Sequence, residues 1–230
     1  MSVLLLRLAG PMQSWGVDSR FSRRETLRHP TKSGVLGLLA AAAGRRRTDP
    51  IEDLVGLRFG VRVDQPGRII RDFHTAHDWR SGASMPLSER FYLSDAVFVA
   101  GVEGDPSLLE ALDEAIREPK FQLFLGRRSC PVSGRLSLGV QTSDLETSLR
   151  DCDWQASEWH RRRLPQEVTL QLVLDAHTDG SPAAEVLRDE PISFDPRRRE
   201  HGWRRVARRF VQVSNPKGNG VDFFAAAGGL

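Results

Sequence analysis

The sequence contains few cysteines and no long hydrophobic segment, and each of these absences excludes a class of protein. With only Cys130 and Cys152 among 230 residues, it offers neither a disulfide framework nor the ligands of a zinc quartet. No apolar run approaches the roughly 20 residues that span a membrane, and the first residues lack the length and cleavage site of a signal peptide. We therefore expect a cytoplasmic protein that has no contact with a membrane.

The sequence also contains little lysine, so almost all of its basic charge is arginine. Lysine occurs three times among 33 basic residues, and the net charge is only +3. Codon bias explains a preference for arginine, but it does not explain why arginines cluster at the boundaries of predicted elements. The clusters lie at residues 20–28, 45–47, 127–128, 161–163, 197–199 and 204–209. Because the guanidinium group suits phosphates and stacks on bases, these clusters favour an anionic polymer as partner.

The order of the predicted elements indicates the fold class of residues 1–140. Hydrophobic periodicity predicts strands at 2–9, 57–64, 68–73, 91–102 and 135–139, and helices at 35–43 and 105–117. Asp49, followed by Pro50 and Glu52, predicts the start of a further short helix. The polar residues 74–87 predict a protruding loop or hairpin. The order β-α-β-β-α-β is typical of a ferredoxin-like or RRM-like α+β fold.

The remaining residues, 141–230, have a less regular pattern. Strands are predicted at 168–174 and 204–213, one or two helical turns at 145–150, and a charged loop at 154–163. Gly180 and Pro182 indicate a turn. The region is either a small second β module or an extension of the first sheet.

The first candidate site is the N-terminus of the helix at 35–43. Thr31, Lys32 and Ser33 precede it at an open helix terminus, where backbone N–H groups suit phosphate. The spacing is not that of a P-loop, and Thr31 alone would serve as a helix cap. The turn at 126–131, with Arg127 and Arg128, is either a strand connection or a second phosphate clamp. Together these residues favour the binding of phosphate groups.

Catalysis and metal binding have less support in the sequence. Cleavage of RNA would need a histidine or lysine at the scissile phosphate, and His29, His74 and Lys32 are the candidates, with no pattern that brings them together. His74 and His77 do not indicate a shared metal, because residues three apart on a strand point to opposite faces. Cys130 is predicted to be a small buried thiol. We expect no metal and no cofactor.

Four segments of the sequence are similar to one protein family. They read LLRLAGPMQSWG at 5–16, PTKSGVLGLL at 30–39, RDFHT at 71–75 and LGRRSCP at 125–131. In this order they resemble the CasD family, the RAMP-superfamily subunits of the type I-E CRISPR surveillance complex Cascade. The similarity covers about residues 1–140. It is weaker in the C-terminal third, where the strand pattern and segment 209–222 follow the family.

The resemblance implies a fold and a function. It implies an RRM-like palm at 1–140, a thumb hairpin inserted at about 73–93, and a C-terminal β-rich extension at 141–230. Palm and thumb would hold the 5′ handle of the CRISPR RNA and contact the large subunit and the nearest backbone subunit, and the chain would meet target DNA only through the complex. In type I-E complexes a different subunit cleaves RNA, so the resemblance implies that this chain is not an enzyme. The alternative is a metal-independent endoribonuclease, as in the related type I-C subunit.

The expected RNA contacts combine the basic residues with candidates for base stacking. Four aromatic residues beside arginines or in loops are candidates for base stacking, namely Trp15, Trp79, Phe91 and Tyr92. Because aromatic residues in strands more often belong to the core, we predict a core position for Phe91, whereas Trp15 fits either position. Arg90, at the base of the thumb, corresponds to a basic residue of the family. The predicted RNA-binding set is Gln13, Trp15, Arg20, Arg23, Arg24, Arg28, Thr31, Lys32, Ser33, His74, Arg90, Tyr92, Arg127 and Arg128.

Overall fold

A computed structural model describes residues 1–16, 23–176 and 185–219 of the chain. Its elements in chain order are β1 (Ser2–Ala9), β2 (Met12–Gln13), β3 (Arg23–Arg24), α1 (Lys32–Ala42), α2 (Glu52–Val55), β4 (Arg58–Gln65), β5 (Arg68–His74), β6 (Ser88–Ser94), β7 (Val97–Gly104), α3 (Pro106–Arg117), β8 (Ser137–Gln141), α4 (Leu145–Asp151), α5 (Glu158–Arg161), β9 (Glu167–Asp175), β10 (Glu185–Ser193) and β11 (Glu200–Ser214). These elements form a mixed α and β fold.

The main sheet has seven strands in the order β10-β11-β9-β4-β7-β1-β8, and all neighbouring strands are antiparallel. Strand β1 lies inside this sheet and is apolar on both faces, as its sequence predicts. Leu4 and Leu6 belong to the core beneath α1 and α3, whereas Val3 and Leu5 belong to the core beneath α4. Because successive side chains alternate between faces, a strand covered on both sides needs a continuous apolar run.

The two long helices cover one face of this sheet. Helix α1 has almost no polar side, and Leu36 and Leu39 are fully buried, which confirms the predicted buried helix. Helix α3 is amphipathic and buries Leu109 and Leu112. The carboxylate of Asp105 accepts a hydrogen bond from the N–H of Leu108 at 3.1 Å, so the predicted N-cap of α3 is confirmed.

A second, four-stranded sheet contains the protruding hairpin. Strand β5 pairs with β6 from Arg68 opposite Ser94 to His74 opposite Ser88, and β2 and β3 pair with β6. The strand predicted at 91–102 is in fact two strands in different sheets. Asp95, with φ at 53°, separates β6 from β7 and turns the chain from one sheet to the other. The predicted hairpin is present, but its strands leave the main sheet.

One local prediction is wrong, and one strand was not predicted. Helix α2 begins at Glu52 with Ile51 as its N-cap residue, and the carboxylate of Asp49 instead accepts a hydrogen bond from the N–H of Arg46 at 2.6 Å. Strand β10 has no predicted counterpart. Pro191 and the acidic residues of β10 obscure its alternation, and proline is tolerated there because β10 is an edge strand.

The C-terminal strands extend the first sheet rather than form a separate module. Strand β9 pairs with β4, with Gly60 opposite Leu174, and β11 and β10 follow outward. The predicted charged loop at 154–163 contains the short helix α5. The predicted turn at Gly180 and Pro182 lies outside the described residues. Within the described ranges, no helix is long and apolar enough to cross a bilayer.

A buried ionic network attaches strands β10 and β11 to the start of α1. Arg204 on β11 donates from Nε and Nη2 to the carboxylate of Asp189 on β10, at 2.9 and 2.7 Å, and from Nη1 to Asp175 at 2.6 Å. Asp189 also accepts the backbone N–H of Lys32 at 2.9 Å. Burial by itself would raise the pKa of Asp189, but the guanidinium of Arg204 outweighs it and holds this pKa below its ordinary value.

We expect Asp189→Asn to lower the free energy of unfolding by about 3–5 kcal/mol, because it leaves the buried guanidinium of Arg204 with one carboxylate fewer. Glu185→Gln is the matched control, since it removes an exposed ion pair with Arg208 on the same two strands and should cost less than about 1 kcal/mol. Urea unfolding at pH 7 measures both values. Equal losses would contradict a dominant role for the buried network.

The lowered pKa of Asp189 predicts that the effect of this substitution on stability depends on pH. Because the pKa of Asp189 is lowered in the folded state, its contribution to stability is complete above the ordinary aspartate pKa and is lost as the pH falls through the lowered value. The stability difference between the wild type and Asp189→Asn should therefore shrink below about pH 4. Urea unfolding across pH 7 to 3 measures this difference, and a constant difference would contradict the linkage.

Candidate nucleic-acid interface

Exposed basic residues meet on the four-stranded sheet. Strand β3 runs parallel to β6, which places Arg23 beside Glu89 and Arg24 beside Arg90. On its other edge β6 pairs with β5. We call the side chains of β3, β5 and β6, together with the hairpin tip at 75–87, the thumb surface. It includes four members of the predicted RNA-binding set. Because successive side chains alternate between faces, Arg23 lies on the face of Phe91, and the other face carries Arg24, His74 and Arg90.

Three arginines on the thumb surface stack on aromatic rings. The guanidinium of Arg23 lies 5.2 Å from the ring centroid of Phe91, and that of Arg71 lies 4.8 Å from the ring of Phe73. Arg80 lies over Trp79 at 4.9 Å. The sequence prediction placed Phe91 in the core, but Phe91 is only half-buried. Paired arginine and aromatic side chains are typical of surfaces that hold single-stranded nucleic acid.

Arg127 has a structural position at the base of the thumb surface. Its Nη2 donates to the carbonyl oxygen of Arg24 at 2.9 Å and its Nη1 to that of Phe91 at 3.3 Å. The guanidinium also lies 4.8 Å from the ring centroid of Tyr92, which is buried. The side chain of Arg127 therefore joins β3 to β6, and several of its donors are already satisfied by the protein. The neighbouring Arg128 is exposed.

The turn that carries these two arginines needs glycine. Gly126 has φ at 84°, and a Cβ atom there would lie 1.8 Å from the carbonyl oxygen of Ser14. The N–H of Ser14 donates to the carbonyl of Leu125 at 3.1 Å. Only glycine permits both the left-handed conformation and the close approach. The conformation of this turn therefore depends on the segment after β1.

Gln13 and Trp15 fix that segment from inside the protein. The Nε2 of Gln13 donates to the carbonyls of Leu8 and Ala96, at 3.1 and 2.7 Å, and its Oε1 accepts from Trp15 Nε1 at 3.0 Å. Both side chains are buried. Of the two alternatives for Trp15, the structure shows the core position, against the N-terminus of α1 at Gly34. Neither side chain is accessible to a base in this structure.

The predicted open N-terminus of α1 is wrong. Thr31 caps the helix by accepting the N–H of Gly34 at 3.1 Å, and the carboxylate of Asp189 accepts the N–H of Lys32. The Nζ of Lys32 lies 3.2 Å from a carboxylate oxygen of Glu190. Thr31, Lys32 and Ser33 are all buried. A carboxylate occupies the position where a phosphate was expected, and it would repel one.

The three candidates for RNA cleavage have separate partners. His29 is buried beside the carbonyl of Pro30, and burial lowers the pKa of its imidazole below 6.5. His74 lies on β5, where its Nε2 contacts the carboxylate of Asp72. Lys32 belongs to the buried ionic network. Across the part of the chain that the structure describes, no group of three or more metal-binding side chains is present.

The remaining predicted residues differ in position. Arg28 is exposed, and Arg20 lies outside the described residues. The Nε of Arg90 is buried and has no hydrogen-bond partner among the described residues. Cys130 is buried, as predicted, and burial raises the pKa of its thiol. The sequence identified Trp79 as a candidate for base stacking, and Arg80 lies over its ring. Phe73 was not identified as a site residue, although Arg71, two positions away, was the available signal.

Comparisons with known proteins agree along most of the chain. The sequence profile of the CRISPR-associated protein Cas5 family matches residues 3–207. The chain is 38% identical over 169 residues to the CRISPR system Cascade subunit CasD of Escherichia coli K12, which covers 64% of this chain and 75% of that protein.

Two solved structures are similar over nearly the whole length. One, described as a crystal structure of a Cas protein, has a TM-score of 0.70 and 36% identity, covering 94% of this chain and 97% of the other. A chain of a CRISPR RNA-guided surveillance complex has a TM-score of 0.75 and 31% identity, covering 96% of this chain and 94% of that chain. The similarity therefore extends beyond the four segments that resemble the family in sequence.

We expect Arg127→Ala to loosen β3 without unfolding the protein. Removing the guanidinium takes away its hydrogen bonds to the carbonyls of Arg24 and Phe91, which are charge-assisted. Amide hydrogen exchange in residues 23–27 should accelerate by about tenfold. Arg128→Ala is the matched control, because Arg128 is exposed, and it should leave this exchange unchanged. Equal exchange in the two variants would refute the structural role of Arg127.

Proposed function

The chain belongs to the Cas5 family of CRISPR-associated proteins, and from that premise we propose that it is a non-catalytic subunit of a CRISPR RNA-guided surveillance complex. Its role there is to bind the 5′ handle of the CRISPR RNA. The family profile covers residues 3–207, and the similarity to a chain of such a complex covers 96% of this chain. The observation that carries the RNA-binding role is the thumb surface with its three arginine–aromatic stacks.

We assign the palm to residues 1–140 and the C-terminal extension to residues 141–230. Strands β8, β1, β7 and β4 are adjacent in that order with α1 and α3 on one face, an arrangement that supports a ferredoxin-like palm. Strands β5 and β6 are the thumb, close to the insertion predicted at about 73–93. The extension continues the palm sheet through β9, so palm and extension share one sheet.

The thumb surface offers contacts for both parts of a nucleotide. The guanidinium groups of Arg23 and Arg24 suit phosphate oxygens, as does that of the exposed Arg28 after β3. The rings of Phe73 and Phe91 suit base stacking. Arg90, whose Nε is buried without a partner among the described residues, lies beside Arg24 on the face of β6 opposite to Phe91. The loop and helix that support this surface are held from the protein interior by Gln13, Trp15 and residues 31–33.

We propose that the rest of the hairpin meets protein neighbours. Ile69, Ile70, Met85 and Leu87 are exposed apolar side chains near or on the hairpin, and a projecting apolar element is typical of an interaction site. The proposed neighbours are the nearest backbone subunit and the large subunit. The complex assembles in the cytoplasm, and the chain meets target DNA only through that assembly.

Binding without cleavage agrees with the separate partners of the three candidate residues. A general base for RNA cleavage needs a pKa near the working pH and access to the 2′-hydroxyl. His29 is buried with a lowered pKa, and Lys32 is held by carboxylates. His74 is the accessible candidate, paired with Asp72. The endoribonuclease alternative therefore depends on His74.

We expect the chain to bind handle RNA more tightly than scrambled RNA of the same length. Replacing both Arg23 and Arg90 by alanine should lower the salt dependence of binding, by about 0.7 in the slope for each phosphate that the protein no longer neutralises. The control replaces Arg150 and Arg162, which lie in exposed helical ion pairs, and makes the same change in net charge. Fluorescence anisotropy at several salt concentrations measures these effects. Equal affinity for handle and scrambled RNA would refute specific recognition.

We expect no cleavage of CRISPR repeat RNA by the purified chain in EDTA. The measurement is denaturing electrophoresis of end-labelled repeat RNA incubated with the wild type and with His74→Ala and His29→Ala. An uncut RNA supports the non-catalytic role. One defined cut that disappears in His74→Ala would establish the endoribonuclease instead, while loss in His29→Ala alone would require checking that this buried position still folds.

A further inference from the structure

A cavity of about 620 Å³ lies on the far side of the turn that carries Arg127 and Arg128. One wall is the face of α1 that contains Gly37, Leu38 and Ala41, and the others come from residues 45–47, 121–128 and 194–199. The turn separates this cavity from the thumb surface, because Arg127 reaches β3 and β6 whereas Gly126 and Arg128 line the cavity. The volume lies within the range of small-molecule sites.

The interior of the cavity is apolar and aromatic. Phe121, Phe124 and Phe194 line it together with Leu38. Gly37 faces Phe194, and a Cβ atom there would lie 3.6 Å from Cζ of that ring. The absence of a side chain at Gly37 therefore keeps the space in front of this ring open. Flat apolar walls suit a planar aromatic ligand.

The rim of the cavity is strongly basic. Arg46, Arg47, Arg128 and Arg199 line it, and no ion pair joins any of them to a carboxylate in the described ranges. Burial, followed by the nearby charge of Arg47, lowers the pKa of the Arg199 guanidinium. Among the residues that the structure describes, no aspartate or glutamate lines the cavity. Like charges held together without a neutralising group favour an anionic ligand.

We propose that this cavity binds one unstacked nucleotide of a single-stranded RNA, with its base among the phenylalanines and its phosphate on the arginine rim. Gln122, which also lines the cavity, is an exposed polar residue that suits a base edge. The site rests on the proposed RNA-binding function and deepens it, because the turn at Gly126–Arg128 contacts β3 and β6 of the thumb surface through Arg127 and lines the cavity through Gly126 and Arg128.

An acidic protein segment would also be attracted by the rim, but two observations favour a nucleotide. The walls present three aromatic rings, whereas an aliphatic anchor needs none. The cavity also shares a wall with the proposed RNA surface, through the turn that carries Arg127 toward that surface and Arg128 toward the cavity. The nucleotide is therefore the occupant to which the proposal commits.

Photo-crosslinking locates the nucleotide directly. Handle RNAs carrying a single 5-iodouridine at successive positions are irradiated with the full chain, and the crosslinked peptides are identified by mass spectrometry. We expect at least one position to crosslink to Phe121, Phe124 or Phe194. Crosslinks to Phe73 or Phe91 alone would overturn the cavity site and leave the proposed function intact. If no RNA crosslinks or binds, the proposed function itself fails.

A cavity-filling variant tests the site without changing charge. Gly37→Met should abolish the cavity crosslink and weaken RNA binding by about tenfold, the loss expected for one base-stacking site. Gly37→Ala is the matched control, because its Cβ makes only ordinary contact with Phe194 and should retain binding. A thermal melt confirms that both variants fold. Unchanged RNA affinity in Gly37→Met, with failure to assemble with the neighbouring subunits, would overturn the proposal in favour of a protein segment.

Two further measurements complete the test: one examines the phosphate contacts, and the other asks whether the bound nucleotide belongs to RNA or is free. Replacing Arg47 and Arg199 by glutamine should weaken RNA binding by about tenfold, whereas the Arg150 and Arg162 pair, replaced in the same way, should not. Adenosine monophosphate at millimolar concentration is the competing probe. If adenosine monophosphate binds tightly and abolishes the cavity crosslink when only a small fraction of the protein carries RNA, the site binds a free nucleotide. The proposal of an RNA nucleotide is then overturned.

Discussion

The bidentate contact between Arg204 and Asp189 is the interaction on which the C-terminal part of the fold depends. It pairs a guanidinium and a carboxylate that are both almost fully buried, and neither charge would be tolerated there alone. The same carboxylate accepts the first N–H group of α1, so one side chain neutralises a buried arginine and completes a helix terminus. The last two strands are therefore joined to the first helix across most of the chain length.

This contact also decides where an anionic ligand can bind. A helix N-terminus attracts phosphate because its N–H groups lack partners, and here Asp189 supplies that partner. Lys32, whose charge suggested a phosphate contact, is surrounded by carboxylates. Under the proposed function, the attraction for RNA therefore comes from arginines outside this buried network. These lie on the thumb surface and around the cavity, on either side of the turn at Gly126.

Local sequence patterns predicted strand β1 and helix α3. The continuous apolar run of β1 fits a strand that is covered on both faces, and the amphipathic pattern of α3 fits a helix with one buried face. Strand β10 was missed because Pro191 and its charged residues belong to an edge, where pairing depends on a distant strand. At the site, composition identifies basic residues but does not show which donors the protein itself satisfies. Arg127 and Arg128 are indistinguishable in sequence, yet one bonds carbonyl groups while the other is exposed at the cavity. A family motif can therefore mark the support of a binding surface as readily as the surface itself.

The two arginines of this turn suggest how the supporting and binding roles are combined. Because Gly126 is pressed against Ser14, the turn cannot shift without disturbing the segment that Gln13 and Trp15 fix. Arg127 then holds the turn against β3, which leaves Arg128 in a defined place at the boundary between the thumb surface and the cavity. A binding group that is positioned before its ligand arrives loses less conformational entropy on binding. Under the proposed function, the buried motif residues contribute to RNA affinity by pre-organising the arginines that remain exposed.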